Sequence, residues 1–166
     1  MSAFNLIDSL LRAVMIYKKI IVAIENDDTD AKLCERATEL VADSSARVLL
    51  IHVLDNTPPV MAPGTGELHA VQASLVRYDH DEYKESVRTT LQNLSAQVGS
   101  AVEDARLIES SDIRSTIHQV ASEEGADLIV VGSRGRSGLA LMVAGAVASS
   151  MLRDAPCDVL AVNIAD

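Results

Sequence analysis

Five short apolar runs recur along most of the chain, and polar stretches with helical periodicity separate them. The runs are rich in Val, Ile and Leu and are apolar on both faces, which is typical of parallel strands covered by helices on either side. They are KIIVAIE (19–25), RVLLIHVL (47–54), ARLIES (105–110), ADLIVVG (126–132) and CDVLAVNI (157–164).

Four helical patterns lie between these runs, with apolar residues three or four positions apart. The apolar faces of the first three are Leu33, Ala37, Leu40 and Val41, then Val87, Leu91, Leu94 and Val98, then Ile113, Ile117, Val120 and Ala121. Asp28 or Thr29 is expected to cap the first helix, Asp112 begins the third and Gly125 ends it, and the fourth ends near Arg153. Five strands alternating with four helices predict one doubly wound, five-stranded parallel α/β sheet, a Rossmann-like fold with right-handed crossovers.

Residues 1–14 stand apart from this pattern. Their apolar run is too short to cross a bilayer and is interrupted by Asp8 and Arg12, which also excludes a signal peptide. We interpret the segment either as an upstream start extension or as a short amphipathic helix lying against the domain. The domain itself is expected to span residues 15–166.

Charge and cysteine content restrict the environment of the protein. Its 166 residues carry a net charge of −10, which argues against non-specific binding to nucleic acid or to an anionic membrane surface. The cysteines are Cys34 and Cys157, without a C-x-x-C pair or a secretory signature. We therefore expect two free thiols and a cytoplasmic protein.

Catalytic patterns are missing from the sequence. The four histidines have no metal-ligand spacing, and no G-x-S-x-G elbow is present. His52 lies within a strand and is expected to be a hydrogen-bonded, partly buried group. The run YDHDEY (78–83) is interpreted as a solvated helix start rather than a metal cluster around His80. The sequence predicts no enzyme and no catalytic residues.

Three loops, which follow the first, second and fourth strands, are expected to converge at the carboxyl edge of the sheet, where open α/β folds bind ligands. Residues 55–70 are rich in proline and glycine and are predicted to be irregular. The turn GSRGRSG follows the fourth strand and exposes backbone N–H groups beside Arg134 and Arg136, which predicts an anion site at the following helix start. The alternative is that these glycines serve only a tight turn. Gly145, inside the following helical pattern, calls for a close backbone approach.

The spacing of these glycines extends the pattern into a longer signature. Gly132, two residues, Gly135, nine residues and Gly145 resemble the nucleotide-binding signature of the universal stress protein family. MIYKKIIVAIE, LLIHVLD and RDAPCDVLAV resemble the first, second and last strands of that family. The resemblance covers residues 17–164.

The resemblance implies an ATP site with Mg²⁺ accompanying the nucleotide. Slow ATP hydrolysis, a property of parts of that family, would need no dedicated base. Glu25 matches a family Asp that holds the adenosine portion, Val53 matches a backbone contact to adenine, and the glycines match those that approach the phosphates. The complete set of expected nucleotide-binding residues is Ala23, Glu25, Val53, Gly132, Arg134, Gly135, Arg136, Gly145, Ala146 and Val147.

Two departures from the family pattern concern this site. Ala146 replaces a Ser or Thr whose hydroxyl contacts phosphate, which weakens affinity by about tenfold. Glu25 is one methylene longer than the family's Asp, so its carboxylate either reaches a ribose hydroxyl or fills the adenine space. The sequence therefore predicts a nucleotide-responsive stress regulator, and the alternative is a member that acts only through protein contacts.

The last strand, VLAVNI (159–164), is apolar and takes an edge position if the family's strand order holds. The resemblance implies a homodimer through this strand. A monomer whose edge is covered by the N-terminal extension is the alternative.

Overall fold

A five-stranded parallel sheet forms the centre of the protein. The computed structural model describes residues 17–41, 45–56, 66–132 and 151–163, and only the backbone within 66–79. Its strands are β1 (Lys19–Ala23), β2 (Arg47–Asp55), β3 (Val102–Ser110), β4 (Leu128–Gly132) and β5 (Asp158–Val162). They are ordered β3-β2-β1-β4-β5, and all neighbouring pairs are parallel. The predicted fold class is therefore confirmed.

Three helices pack on the sheet within the described parts of the chain. They are α1 (Asp30–Thr38), α2 (Gly66–Val98) and α3 (Ile113–Glu124), and a 3₁₀ turn, Gly99–Ala101, follows α2. The predicted fourth helix falls on residues outside the described ranges, apart from Met151 and Leu152, which are helical. The N-terminal segment 1–14 also lies outside them.

The three central strands, β1, β2 and β4, are buried on both faces, which explains why they read as continuous apolar runs. Ile20, Val22 and Leu50 belong to a core cluster that includes residues of α1 and α2. Their neighbours in sequence, such as Ile21 and Ile51, belong to the cluster on the other face, which includes residues of α3. Alternation along each strand thus divides one apolar run between two hydrophobic layers.

The caps of α3 agree with the sequence prediction. Asp112 is the N-cap residue, and its side chain accepts a hydrogen bond of 2.9 Å from the backbone N–H of Ser115. Gly125 ends the helix with a φ of 62°, the left-handed conformation that glycine adopts without strain.

Three boundary predictions were wrong. The segment 55–70 is not irregular throughout, because Asp55 ends β2 and residues from Gly66 onward are helical. A glycine costs a helix only about 1 kcal/mol, so the Gly-Thr-Gly sequence does not prevent α2 from beginning there. As a result, the run YDHDEY lies inside α2 rather than at its start. The first helix ends at Thr38, and Val41 instead forms an isolated parallel bridge with Tyr17.

Strand order determines where a ligand would enter. β1 lies between β2 and β4, and because all strands are parallel, their carboxyl ends meet at one edge. The connections from β1 and β4 lead to opposite sides of the strand order, to β2 and to β5. The space between the ends of β1 and β4 is therefore the topological switch point, the preferred ligand position in open α/β sheets.

Candidate functional site

The carboxyl end of β1 is anchored to both neighbouring strands. Ala23 is in register with Ile51 of β2 and Val131 of β4. Ile24 continues the ladder, because its N–H donates to the carbonyl of Ile51 at 2.9 Å. Glu25 follows directly, so its backbone position is set by the sheet.

The turn between β1 and α1 is built around Asp30. Asp30 is only 2% exposed, and its carboxylate accepts hydrogen bonds from two backbone N–H groups. Oδ1 accepts from Glu25 at 3.0 Å, and Oδ2 accepts from Asp27 at 3.1 Å. Burial raises the pKa of Asp30, and the backbone donors counteract that rise. Asp30 therefore holds the backbone that presents Glu25.

Asn26 connects this turn to α2. Its φ is 65°, a left-handed conformation that asparagine tolerates better than most residues. Its amide donates to Oγ of Ser86 at 3.3 Å, and its carbonyl oxygen accepts from the hydroxyl of Thr90 at 2.6 Å. The turn is thus held both by hydrogen bonds to α2 and by the hydrogen bonds that Asp30 accepts within it.

The carboxyl group of Glu25 is unusual in its burial and in its raised pKa. Its Oε2 is buried and has no hydrogen-bond partner among the described residues. Burial, and secondarily the charges of Asp27 and Asp30, raise the pKa of Glu25 to about 7. A buried polar atom without a partner is uncommon and calls for an explanation such as a ligand.

Charged groups at the opposite, amino edge of the sheet are paired. Lys19 lies 2.8 Å from Glu103 and 2.7 Å from Glu124. Arg106 of β3 lies 2.6 Å from the other oxygen of Glu124. The carboxylates of Glu103 and Glu124 thus have cationic partners, whereas Oε2 of Glu25 has no hydrogen-bond partner among the described residues.

His52 and Tyr83 lie next to the turn. His52 is buried, and its Nδ1 lies 2.9 Å from the carbonyl oxygen of Ile24, so this nitrogen carries the proton. Burial lowers the pKa of His52, which keeps the ring neutral. The ring of Tyr83, from α2, meets it edge-on with centroids 5.9 Å apart. The prediction that His52 is a hydrogen-bonded structural group is confirmed.

Four of the ten predicted nucleotide-binding residues lie in the described structure, on or directly after three adjacent strands. Ala23 ends β1 and Glu25 follows it, Val53 lies on β2 two residues beyond the partner of Ala23, and Gly132 ends β4 one residue beyond its other partner. The other six lie outside the described residues: Arg134, Gly135, Arg136, Gly145, Ala146 and Val147.

Sequence reasoning missed Asp30 and Tyr83. The stretch ENDDTD (25–30) reads as a polar loop, and nothing in it marks which acid turns inward. The usable signal was an Asp in the first turn of a helix that begins shortly after a buried strand, a position where side chains accept backbone hydrogen bonds.

The described residues contain neither a metal-binding cluster nor a membrane-spanning helix. Within them, no group of three or more His, Cys, Asp or Glu side chains is arranged to hold a metal ion. No helix in the described part of the chain is both long and apolar enough to cross a membrane. Cys34 and Cys157 are free, as expected.

The strand order defines a doubly wound α/β protein, and the polar turn after β1 lies at the switch point of its sheet. The model of the universal stress protein family matches residues 16–163. The chain therefore belongs to the universal stress protein family.

Individual relatives agree with this assignment. Universal stress protein A homolog 2 of Coxiella burnetii is 32% identical over 149 residues, which cover 89% of this chain and 96% of that protein. A universal stress protein family structure from Burkholderia pseudomallei is 28% identical, with a TM-score of 0.59, over 88% of this chain and 96% of that one. A universal stress protein crystallised with cAMP shares the fold at 20% identity and a TM-score of 0.58, over 89% and 97% of the two chains.

Proposed function

We propose that this protein is a nucleotide-responsive stress regulator that binds an adenine nucleotide at the carboxyl edge of its sheet. The observation that carries the proposal is the buried Oε2 of Glu25 at the switch point, which has no hydrogen-bond partner in the described part of the chain. A family member of the same fold was crystallised with cAMP, which supports an adenine nucleotide as the ligand.

The residues at this edge fit a nucleoside. A ribose hydroxyl both donates and accepts hydrogen bonds, so it would satisfy Glu25 in either protonation state. The backbone of Val53, on the neighbouring strand, would meet the base. The glycines at 132, 135 and 145, with Arg134 and Arg136, would surround the phosphates.

ATP with Mg²⁺ is the form that we propose. Mg²⁺ binds nucleotides mainly through phosphate oxygens and keeps several of its waters. We therefore propose that the ion arrives bound to the nucleotide. We expect the output to be a conformational change rather than catalysis, and we expect the protein to act in the cytoplasm, which its two free thiols support.

Thermal unfolding tests the proposal directly. A ligand at 100 times its dissociation constant stabilises the folded state by about 2.7 kcal/mol, which would raise the melting temperature by several degrees in a domain of this size. We expect such a shift with millimolar Mg-ATP, ADP, AMP or cAMP, and none with Mg-GTP as the matched control. No shift with any adenine nucleotide would contradict nucleotide binding.

The rival function is regulation through protein contacts alone, without nucleotide. The specific observation that favours it is that the carboxylate of Glu25 is buried and has two acids, Asp27 and Asp30, near it. A buried carboxylate could itself fill the nucleoside space, and three acids would repel an anion. The same unfolding experiment separates the two functions.

We also propose a homodimer that forms through β5. This strand is at one edge of the sheet, and Val159, Leu160 and Val162 on it are only half-buried. We expect light scattering to give twice the monomer mass. Ala161→Lys, which adds a charge at an exposed position of this strand, should shift the protein toward monomer, whereas Gln97→Lys on the exposed face of α2 should not. A monomeric wild-type protein at high concentration would contradict pairing through this edge.

A further inference from the structure

We propose that the nucleotide site is proton-linked: the protein takes up a proton at Glu25 when nucleotide binds, and therefore binds nucleotide more tightly as the pH falls. This inference rests on the proposed nucleotide function and specifies how the same site would be regulated. The inference is based on a difference in hydrogen bonding between Glu25 and its two neighbouring acids, Asp27 and Asp30.

The geometry distinguishes Glu25 from the two acids beside it. Both carboxylate oxygens of Asp30 accept backbone N–H groups, from Glu25 and Asp27. Oδ1 of Asp27 accepts from the backbone N–H of Thr29 at 2.8 Å and from the Thr29 hydroxyl. The two backbone N–H bonds to Asp30 favour its ionised form. Glu25 instead has a buried oxygen with no partner among the described residues, so no hydrogen bond to that oxygen holds it in the ionised form.

The groups that surround Glu25 reinforce this assignment. From the β1–α1 turn and α1 come Asp27 and Asp30, both of which raise its pKa. From β2 comes His52, neutral because burial lowers its pKa. From α2 comes Tyr83, whose pKa is raised chiefly by burial, so its phenol is also neutral. The arginines at 134 and 136, expected after β4, lie outside the described residues.

A bound nucleotide would favour the protonated form further. It adds a negative phosphate and excludes water, and both effects disfavour a second negative charge at Glu25. The neutral acid also gains an O–H donor that can reach a ribose oxygen or a ring nitrogen. Since the pKa of Glu25 without nucleotide is about 7, the carboxyl is mostly ionised at pH 8, and a rise of its pKa on binding would be detected there as proton uptake.

The probe should be cAMP, because terminal phosphates of AMP, ADP and ATP titrate with a pKa of about 6 and would obscure the result. A cyclic phosphodiester carries one charge that does not change across this range. Isothermal titration calorimetry between pH 6 and 8.5, in two buffers of different ionisation enthalpy, measures both affinity and the number of protons taken up.

We expect the wild-type protein to take up protons when it binds cAMP at pH 8, up to one per site, and its affinity for cAMP to fall above pH 7 by up to about tenfold per pH unit. Glu25→Gln should bind with an affinity independent of pH and without proton uptake. Asp28→Asn, which removes an exposed acid from the same turn, should keep both properties of the wild type.

The outcomes that overturn the inference are distinct from those that overturn the proposed function. Binding of cAMP with constant affinity and no proton uptake would overturn proton linkage and leave nucleotide binding intact. Retention of uptake by Glu25→Gln would assign the proton elsewhere and overturn the inference. No binding of cAMP or of Mg-ATP at any pH would overturn both. The wild-type measurement decides proton linkage even if the Gln variant fails to fold.

Discussion

Replacing Asp30 with alanine is expected to lower the free energy of unfolding by about 3 kcal/mol. Asp30 is 2% exposed and accepts from the backbone N–H groups of Glu25 and Asp27. Alanine would leave both donors without their partner, and a hydrogen bond to a charged group contributes about 1.5–3 kcal/mol. Loss of a buried negative charge would offset part of the damage, since burial disfavours the ionised form of Asp30.

Urea unfolding at pH 7 measures this effect. Asp30→Asn is the graded variant, because its amide oxygen can accept one of the two hydrogen bonds and its NH₂ group cannot accept the other. We expect Asn to lose about half as much stability as Ala. Asp28→Ala, an exposed acid two residues away, should change stability by less than about 0.5 kcal/mol. Equal stabilities for the Ala variant and the wild type would contradict the structural role of Asp30.

The same variant bears on the site itself. Asp30 bonds the backbone of Glu25, so its loss should release the residue that we expect to contact the nucleoside. Stability and nucleotide affinity should therefore fall together in Asp30→Ala. A surface variant that loses stability elsewhere, such as one in α3, should leave affinity unchanged at temperatures where it remains folded.

Strand positions were predictable because they follow from burial on both faces. An apolar run such as RVLLIHVL is required wherever a parallel strand lies between two helical layers, and β2 spans it with one further residue. The caps at Asp112 and Gly125 were predictable for a local reason, since both depend on backbone geometry within a few residues. The strand order could not be derived from such local signals and depended on the family resemblance.

The start of α2 illustrates the opposite case. Proline and glycine near residue 60 mark a break in regular structure, but they do not determine where the next helix begins. α2 begins at Gly66, inside the stretch expected to be irregular. Its later residues, including Val87 and Leu91, pack in the core, and packing outweighs the modest cost of a terminal glycine.

The candidate site was predictable in outline and not in its hydrogen bonding. Glu25 stood out because the family resemblance matches it to the Asp that holds the adenosine portion. Which of the acids in ENDDTD turns inward depends on the left-handed backbone at Asn26 and on its bonds to α2, contacts between residues about 60 positions apart. Such long-range contacts leave no periodic trace in the sequence.

The second large effect is expected from Glu25→Gln, and its direction depends on pH. The pKa of Glu25 is raised from its ordinary value of 4.5 to about 7 in the folded protein. Below pH 4.5 both the folded and the unfolded chain are protonated here, so the group contributes no difference in stability. Between pH 4.5 and 7 the unfolded chain ionises first, and the folded state becomes progressively less stable as the pH rises.

Above pH 7 the full penalty applies to the wild type and is absent from the neutral Gln variant. The pKa difference corresponds to about 3 kcal/mol, and partial solvent screening of this half-buried group reduces the expected gain to about 2 kcal/mol. Urea unfolding at pH 5 and pH 8 should therefore give similar stabilities at the lower pH and a more stable Gln variant at the higher. Glu35→Gln, at an exposed position of α1, is the matched control and should differ little from the wild type at either pH. Destabilisation by Glu25→Gln at pH 8 would mean that the ionised carboxylate has a favourable partner in the folded protein. In that case Glu25 would be a structural anion, and both its unpartnered oxygen and its place in nucleotide binding would have to be reassigned.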